Sequence, residues 1–131
     1  MDHEQGFIVR MRDQFKFSKK ILTQSGKKVL QQFICLVFEP LELNLRDLIM
    51  KEQMLCQDGV MRPKGLSLSF IRVIAWQMLV ALSLLSLPSL NIIHCDLKPE
   101  NIMLKALGKT AIKLIDFGNA CFANKKTSKY I

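Results

Sequence analysis

Apolar and polar positions alternate with a period of two at Phe7, Val9 and Met11, and again at Phe15 and Phe17. That period predicts a strand over residues 7–17. Residues 33–38, Phe-Ile-Cys-Leu-Val-Phe, are a continuous β-prone apolar run and predict a second, fully buried strand. Between them, Ser25-Gly26 beside Lys27-Lys28 is a turn signal, so the two strands read as a hairpin with an extended connection over residues 18–32. Pro40 has no amide hydrogen and turns the chain out of the sheet. Asn44 is placed to cap a helix together with Asp47, and Leu45, Leu48, Ile49 and Met54 supply its apolar stripe. Gly59, Pro63 and Gly65 make residues 57–65 a loop. A long helix starts at Ser67 or Ser69, runs through Leu87 and is stopped by Pro88. Beyond it lie Ile92-Ile93-His94, a polar cluster over residues 96–101, and two short β-prone runs at 102–104 and 111–115 around a turn at Gly108. Residues 119–131 are polar and loop-like.

The long helix raises the question of a membrane. No Asp, Glu, Lys or Arg occurs between Arg72 and Asp96. Its uncharged part, residues 73–87, would measure about 22 Å at the α-helical rise, short of the roughly 30 Å hydrocarbon core. Gln77, Ser83 and Ser86 interrupt it, so the reading is a buried helix of a soluble domain and no membrane partner; a membrane hairpin over residues 73–90 ranks last among the alternatives.

Composition narrows the class. At 131 residues, half of them hydrophobic and 23% charged, the chain is one domain at most and builds a core rather than staying disordered. The net charge of +8 and isoelectric point near 9.5 suit a polyanion, but equally a solubilising surface. Beyond Phe15-Lys16-Phe17 the basic residues are not interleaved with aromatics along the sequence, so no nucleic acid is expected. Cys35, Cys56, Cys95 and Cys121 contain no CxxC pair, which argues against a zinc knuckle or a disulfide framework. Asp2, Glu4, Arg10, Arg12 and Asp13 argue against a secretory leader at this end, so an intracellular, reducing compartment is expected.

The stretch of residues 93–118, IHCDLKPENIMLKALGKTAIKLIDFG, carries the chemistry. Asp96 and Asn101 alone could be turn formers, and His94 and Phe117 ordinary core. Together, His94, Asp96 and Asn101 followed by Asp116-Phe117-Gly118 resemble the protein kinase catalytic loop, H-x-D-x-x-x-x-N, and its D-F-G turn. The resemblance implies an α+β, protein kinase-like fold, here partial, using ATP and Mg2+ to phosphorylate Ser/Thr hydroxyls of protein substrates. It makes Asp96 the acceptor of the substrate hydroxyl proton and puts the Lys98 charge near the transferred phosphate. Asn101 and Asp116 become magnesium ligands, oxygen donors for a hard cation. Gly118 gives the turn its backbone freedom.

The resemblance extends upstream. Residues 36–41, Leu-Val-Phe-Glu-Pro-Leu, look like the last N-lobe strand and hinge. On that likeness Phe38 is the gatekeeper, the backbones of Glu39 and Leu41 bond the adenine edge, Met103 is the adenine floor and Ile115 lines the pocket; each apolar one of these is equally readable as core. The domain plan is then N-lobe strands over residues 7–38, a hinge at 39–43 and the start of the C-lobe to the activation segment over 44–131. Cys95, where most kinases have Arg, together with the His-Cys-Asp-Leu-Lys-Pro-Glu-Asn text, is similar to the DYRK family of dual-specificity tyrosine-regulated kinases, in the CMGC group; the Phe-Glu-Pro-Leu hinge also resembles the neighbouring splicing-factor kinases. Tyr130 matches the second tyrosine of the family's Tyr-x-Tyr motif, implying self-phosphorylation, with Ser128 in place of the first. Without an arginine at Cys95, a phosphate clamp there is not expected.

No Gly-rich loop, no Val-Ala-x-Lys and no Ala-Pro-Glu occurs in the sequence. The 18–32 connection is also longer than the family's. The chain therefore reads as a fragment, inactive alone, of a kinase residing in the cytoplasm, the nucleus or both. The alternative is a truncated, non-catalytic kinase-like binding or scaffold module.

Overall fold

The computed structural model describes residues 6–51, 53–55, 59–63 and 65–125. They divide into two units, Val9–Pro40 and the remainder.

The first unit is an antiparallel ribbon of β1 (Met11–Leu22) and β2 (Lys28–Phe38). The ladder runs from Met11 opposite Phe38 to Leu22 opposite Lys28, with an irregularity between Met11 and Asp13. The extended connection expected over residues 18–32 is therefore mostly strand. The turn occupies only the end, where Gly26 takes φ +75° and donates to the Thr23 carbonyl at 2.9 Å. The strand expected to be fully buried is not: Ile34 is 66% and Phe38 45% exposed. A two-stranded ribbon has no layer on either face, so apolar runs that would sit inside a larger sheet meet solvent. Phe17 and Phe33 compensate in part by stacking on each other, with centroids 5.1 Å apart.

In the second unit, α1 (Leu45–Lys51) begins with a reciprocal cap. Asn44 Oδ1 accepts from the Asp47 amide at 2.7 Å, and Asn44 Nδ2 donates to the Asp47 carboxylate at 2.9 Å. The helix ends at Lys51, and Met54 lies in β3 (Gln53–Leu55), paired with β4 (Met61–Pro63). The helical stripe thus stops before Met54, and part of the expected 57–65 loop is strand.

α2 spans Leu68–Leu85, capped by the Ser67 hydroxyl, which accepts from the Phe70 amide at 3.3 Å. By length and composition it is long and apolar enough to cross a membrane. It is not the buried helix expected: only Ile74, Gln77, Ala81 and Leu85 are buried, one helical stripe, while Leu68, Trp76 and Leu79 are exposed. That stripe faces β6 (Ile102–Leu104) and β7 (Ile112–Leu114), an antiparallel pair with Leu104 opposite Ile112. Leu45, Ile74, Leu104 and Ile112 form the core, with Leu48, Phe70, Met78 and Ile102 against it. Gln77 locks the helix in place: its Nε2 donates to the Thr110 carbonyl at 2.7 Å and its Oε1 accepts from the Ile112 amide at 3.0 Å.

Two further short strands, β5 (Ile92–Ile93) and β8 (Cys121–Phe122), pair antiparallel and bracket the polar cluster, so the expected terminal loop holds one ladder. A 3-10 turn, Pro99–Asn101, leads into β6.

Gln77→Leu is expected to lower stability by about 1–3 kcal/mol, because the Ile112 amide, itself buried, loses its acceptor. Urea denaturation followed by far-UV circular dichroism checks this; an unchanged midpoint would show the amide bonds to be dispensable.

Candidate active site

The polar cluster is held between β5 and β6 by its own side chains. Asp96 is the centre. Lys98 Nζ lies 2.7 Å from Asp96 Oδ2. Asn101 Nδ2 donates to the same oxygen at 3.0 Å and to the Asp96 carbonyl at 2.9 Å. Asn101 is 4% exposed, so a loop of polar residues is pinned from inside rather than left to solvent. The Lys98 ammonium, with a smaller contribution from Asn101, holds the Asp96 carboxyl below the ordinary aspartate range, against the partial burial that opposes it. The same pair pushes the Lys98 ammonium up.

His94 joins this loop to the Asp-Phe-Gly turn. Its ring is buried, and Nε2 sits 2.9 Å from the Ile115 carbonyl. Because a carbonyl can only accept, Nε2 carries the hydrogen. Nδ1 is then free to accept, and it does so from the Asp96 amide at 3.3 Å. The Phe117 ring meets the imidazole edge-on, 4.8 Å between centroids. The Ile115 amide donates to the Asn101 carbonyl at 2.9 Å, so the chain enters Asp116 directly beside Asn101. Asp116 takes φ +61°, and its Oδ1 accepts from the Gly118 amide at 3.2 Å. A Cβ at Gly118 would stand 3.1 Å from that oxygen, a tight approach that explains the glycine.

The remaining expected site residues are placed as follows. The Glu42 amide donates to the Leu104 carbonyl at 3.0 Å and the Leu104 amide to the Leu43 carbonyl at 2.8 Å. Met103 bridges Asn44, so the segment just after Leu41 runs along β6. Phe38 and Glu39 belong to the ribbon unit, where Glu39 Oε1 accepts from the Arg10 amide at 2.8 Å. Tyr130 lies outside the described residues, as do Ser128, Lys126 and Lys129. Asp96, Lys98, His94, Asn101, Ile115, Phe117 and Gly118 with Asp116 are thus brought into one connected array.

Two contacts were not foreseen. Arg46 on α1 pairs with Glu100 at 3.0 Å, across a mostly exposed surface. Cys95 Sγ lies 3.5 Å from Cys121 Sγ. That thiol contact, with some burial, raises the Cys95 pKa. The signal for it was the β5–β8 pairing, hidden because residues 119–131 are too polar to read as strand.

The protein kinase domain family matches residues 3–130. The dual specificity tyrosine-phosphorylation-regulated kinase mbk-2 of Caenorhabditis elegans is 42% identical over 97 residues, 74% of this chain and 10% of that protein. The dual specificity protein kinase YAK1 homolog of Arabidopsis thaliana is 45% identical over 102 residues, 77% of this chain and 10% of that protein. The serine/threonine-protein kinase ppk15 of Schizosaccharomyces pombe is 39% identical over 124 residues, 95% of this chain and 19% of that protein. The chain therefore spans between a tenth and a fifth of these relatives' lengths.

A depressed Asp96 pKa contributes stability that is present above the unfolded-state aspartate value and is lost as the pH falls through the lower folded-state value. Carboxyl NMR titration is expected to show Asp96 below the ordinary aspartate range, and Lys98→Met to move it upward; no movement would remove Lys98 as the cause. Cys95 is expected to alkylate more slowly than an ordinary exposed thiol at neutral pH. Cys121→Ser should change that rate, because it removes the principal contact raising the Cys95 pKa.

Proposed function

This chain belongs to the protein kinase domain family, and from that premise we propose that it supplies the catalytic loop and metal-binding turn of an ATP-dependent serine/threonine kinase of the dual-specificity tyrosine-regulated type. The observation that supports this most is the shared oxygen of Asp96. One carboxylate is aimed by an amide from Asn101 and charge-paired with Lys98, all within 3.0 Å.

In this reading Asp96 is ionised at neutral pH and accepts the hydrogen bond of a substrate hydroxyl, orienting the oxygen for in-line attack and taking its proton. A carboxylate with a depressed pKa is a weak base, so its main service is aim. Lys98 sits on the same oxygen and is placed to follow negative charge onto the transferred phosphate. Asn101 and Asp116 fit magnesium: an amide oxygen and a carboxylate, joined through the Ile115–Asn101 backbone bond, are the sparse oxygen set this ion takes when phosphates and waters complete its shell. When bound, the ion neutralises phosphate charge. Among the described residues no cluster of three or more His, Cys, Asp and Glu offers a denser site.

Leu41, Met103 and Ile115 contribute to holding the adenine in this reading. In this reading the protein works inside the cell, in cytoplasm or nucleus. Phosphoryl transfer by the kinase template also requires a Gly-rich loop and a phosphate-anchoring lysine in a Val-Ala-x-Lys context, which these 131 residues do not contain.

The test is a kinase assay on the natural polypeptide, captured with an antibody to residues 105–113 and supplied with MgATP and a Ser/Thr protein acceptor. Phosphate incorporation is expected, falling by about 100-fold or more in a recombinant Asp96→Asn form. Full activity of Asp96→Asn would overturn the role of Asp96. The isolated 131 residues are expected to be inactive in the same assay.

A further inference from the structure

The distal half of the β1–β2 ribbon has no part in the reading above. From Gln14 to Phe38 the chain contains no carboxylate and five lysines. The register shows how they are displayed. Residues opposite each other share a face, and faces alternate along a strand. Leu22 opposes Lys28 and Lys20 opposes Leu30, so these four side chains form a checkerboard of cation and aliphatic on one face. Lys16 opposite Ile34 continues the pattern toward the base. Leu22 is 67% and Leu30 64% exposed, an unusual state for leucine beside charge on a formed ladder. The far end is rigidly closed. The Thr23 amide donates to the Lys27 carbonyl at 2.9 Å, and the Lys27 amide to Thr23 Oγ1 at 3.1 Å. The turn thereby holds Lys27 next to Lys28, whereas Lys19, opposite Gln31, lies on the other face.

We propose that residues 18–32 are a peripheral docking element for bilayers rich in anionic lipid. Lys20 and Lys28, with Lys27 at the turn, sit at the head groups, and Leu22 and Leu30 of the same face enter the interface. Charge complementarity selects the anionic surface, since no carboxylate on the ribbon's distal half opposes it. The exposed aliphatics select lipid over nucleic acid. A nucleic acid site would want aromatic rings for stacking, and Phe15, Phe17 and Phe33 lie nearer the base, where Phe17 and Phe33 stack on each other. Contact by a preformed hairpin tip is surface attachment and differs from the spanning weighed for α2. It departs from the expectation of no membrane partner, because linear order does not reveal which residues share a ribbon face.

The experiment is co-sedimentation of the whole protein with vesicles of phosphatidylcholine alone and of phosphatidylcholine mixed with phosphatidylserine. Binding to the mixed vesicles alone is expected, weakening as salt is raised. Changing Lys20, Lys27 and Lys28 together to Gln should weaken binding by about 100-fold or more. Changing all three to Arg should preserve it, and Leu22→Ser with Leu30→Ser should cost about 10-fold. All of these positions lie at the exposed ribbon end, and an unchanged circular dichroism spectrum confirms the fold of each variant. Equal binding to both vesicle types, no binding to the mixed ones, an unaffected three-Gln variant, or displacement from vesicles by duplex or single-stranded DNA would each overturn the proposal.

Discussion

Everything chemical in this chain hangs on the imidazole of His94. A buried histidine must satisfy both ring nitrogens, and here the two bonds run in opposite directions along the fold: one to the carbonyl of Ile115, the other from the amide of Asp96. The proton on Nε2 therefore determines where two backbone segments meet, and the Phe117 ring closes the arrangement edge-on. Remove the ring and the loop bearing Asp96 keeps the Ile115–Asn101 backbone bond to the turn bearing Asp116 but loses this side-chain tie. The histidine touches none of the atoms a substrate would use; it sets their spacing.

Around that fixture the charges are arranged economically. Asp96 is kept ionised by a neighbour that can move, Lys98, and oriented by one that cannot, the buried Asn101. Beneath lies a small core cluster, with Ala81, Leu85 and Leu114 buried besides, and polar bonds do much of the positioning: Gln77 ties helix to strand, and the Asn44–Asp47 cap sets where α1 starts.

The candidate site residues were legible because they match a spaced motif rather than a local propensity. His94, Asp96, Asn101 and Asp116 could be picked from the text, and the structure gathers them. The Asn44 and Ser67 caps were legible for a similar reason, since a cap needs a particular side chain at a particular place. What could not be read was decided by context. The run of residues 33–38 looks buried whether or not a second layer covers it. Met54 suits a helix stripe as well as a short strand. The Cys95–Cys121 contact and the Arg46–Glu100 pair depend on segments that meet only after the chain has folded. The long ladder over residues 18–32 was obscured by lysines and glutamines, which are weak strand formers until a partner strand supplies the bonds.

The ribbon and the site differ in how far apart in the chain their partners lie. The ribbon closes around a tight turn at Gly26, and such a hairpin forms in microseconds. The ties of the site span 21 residues from His94 to Ile115, 35 from Gln77 to Ile112 and 54 from Arg46 to Glu100. Each of those loops must be closed, at an entropic cost, before its contact gives anything back. The order of assembly follows: the ribbon forms early, and the candidate site is completed only when the chain has returned on itself.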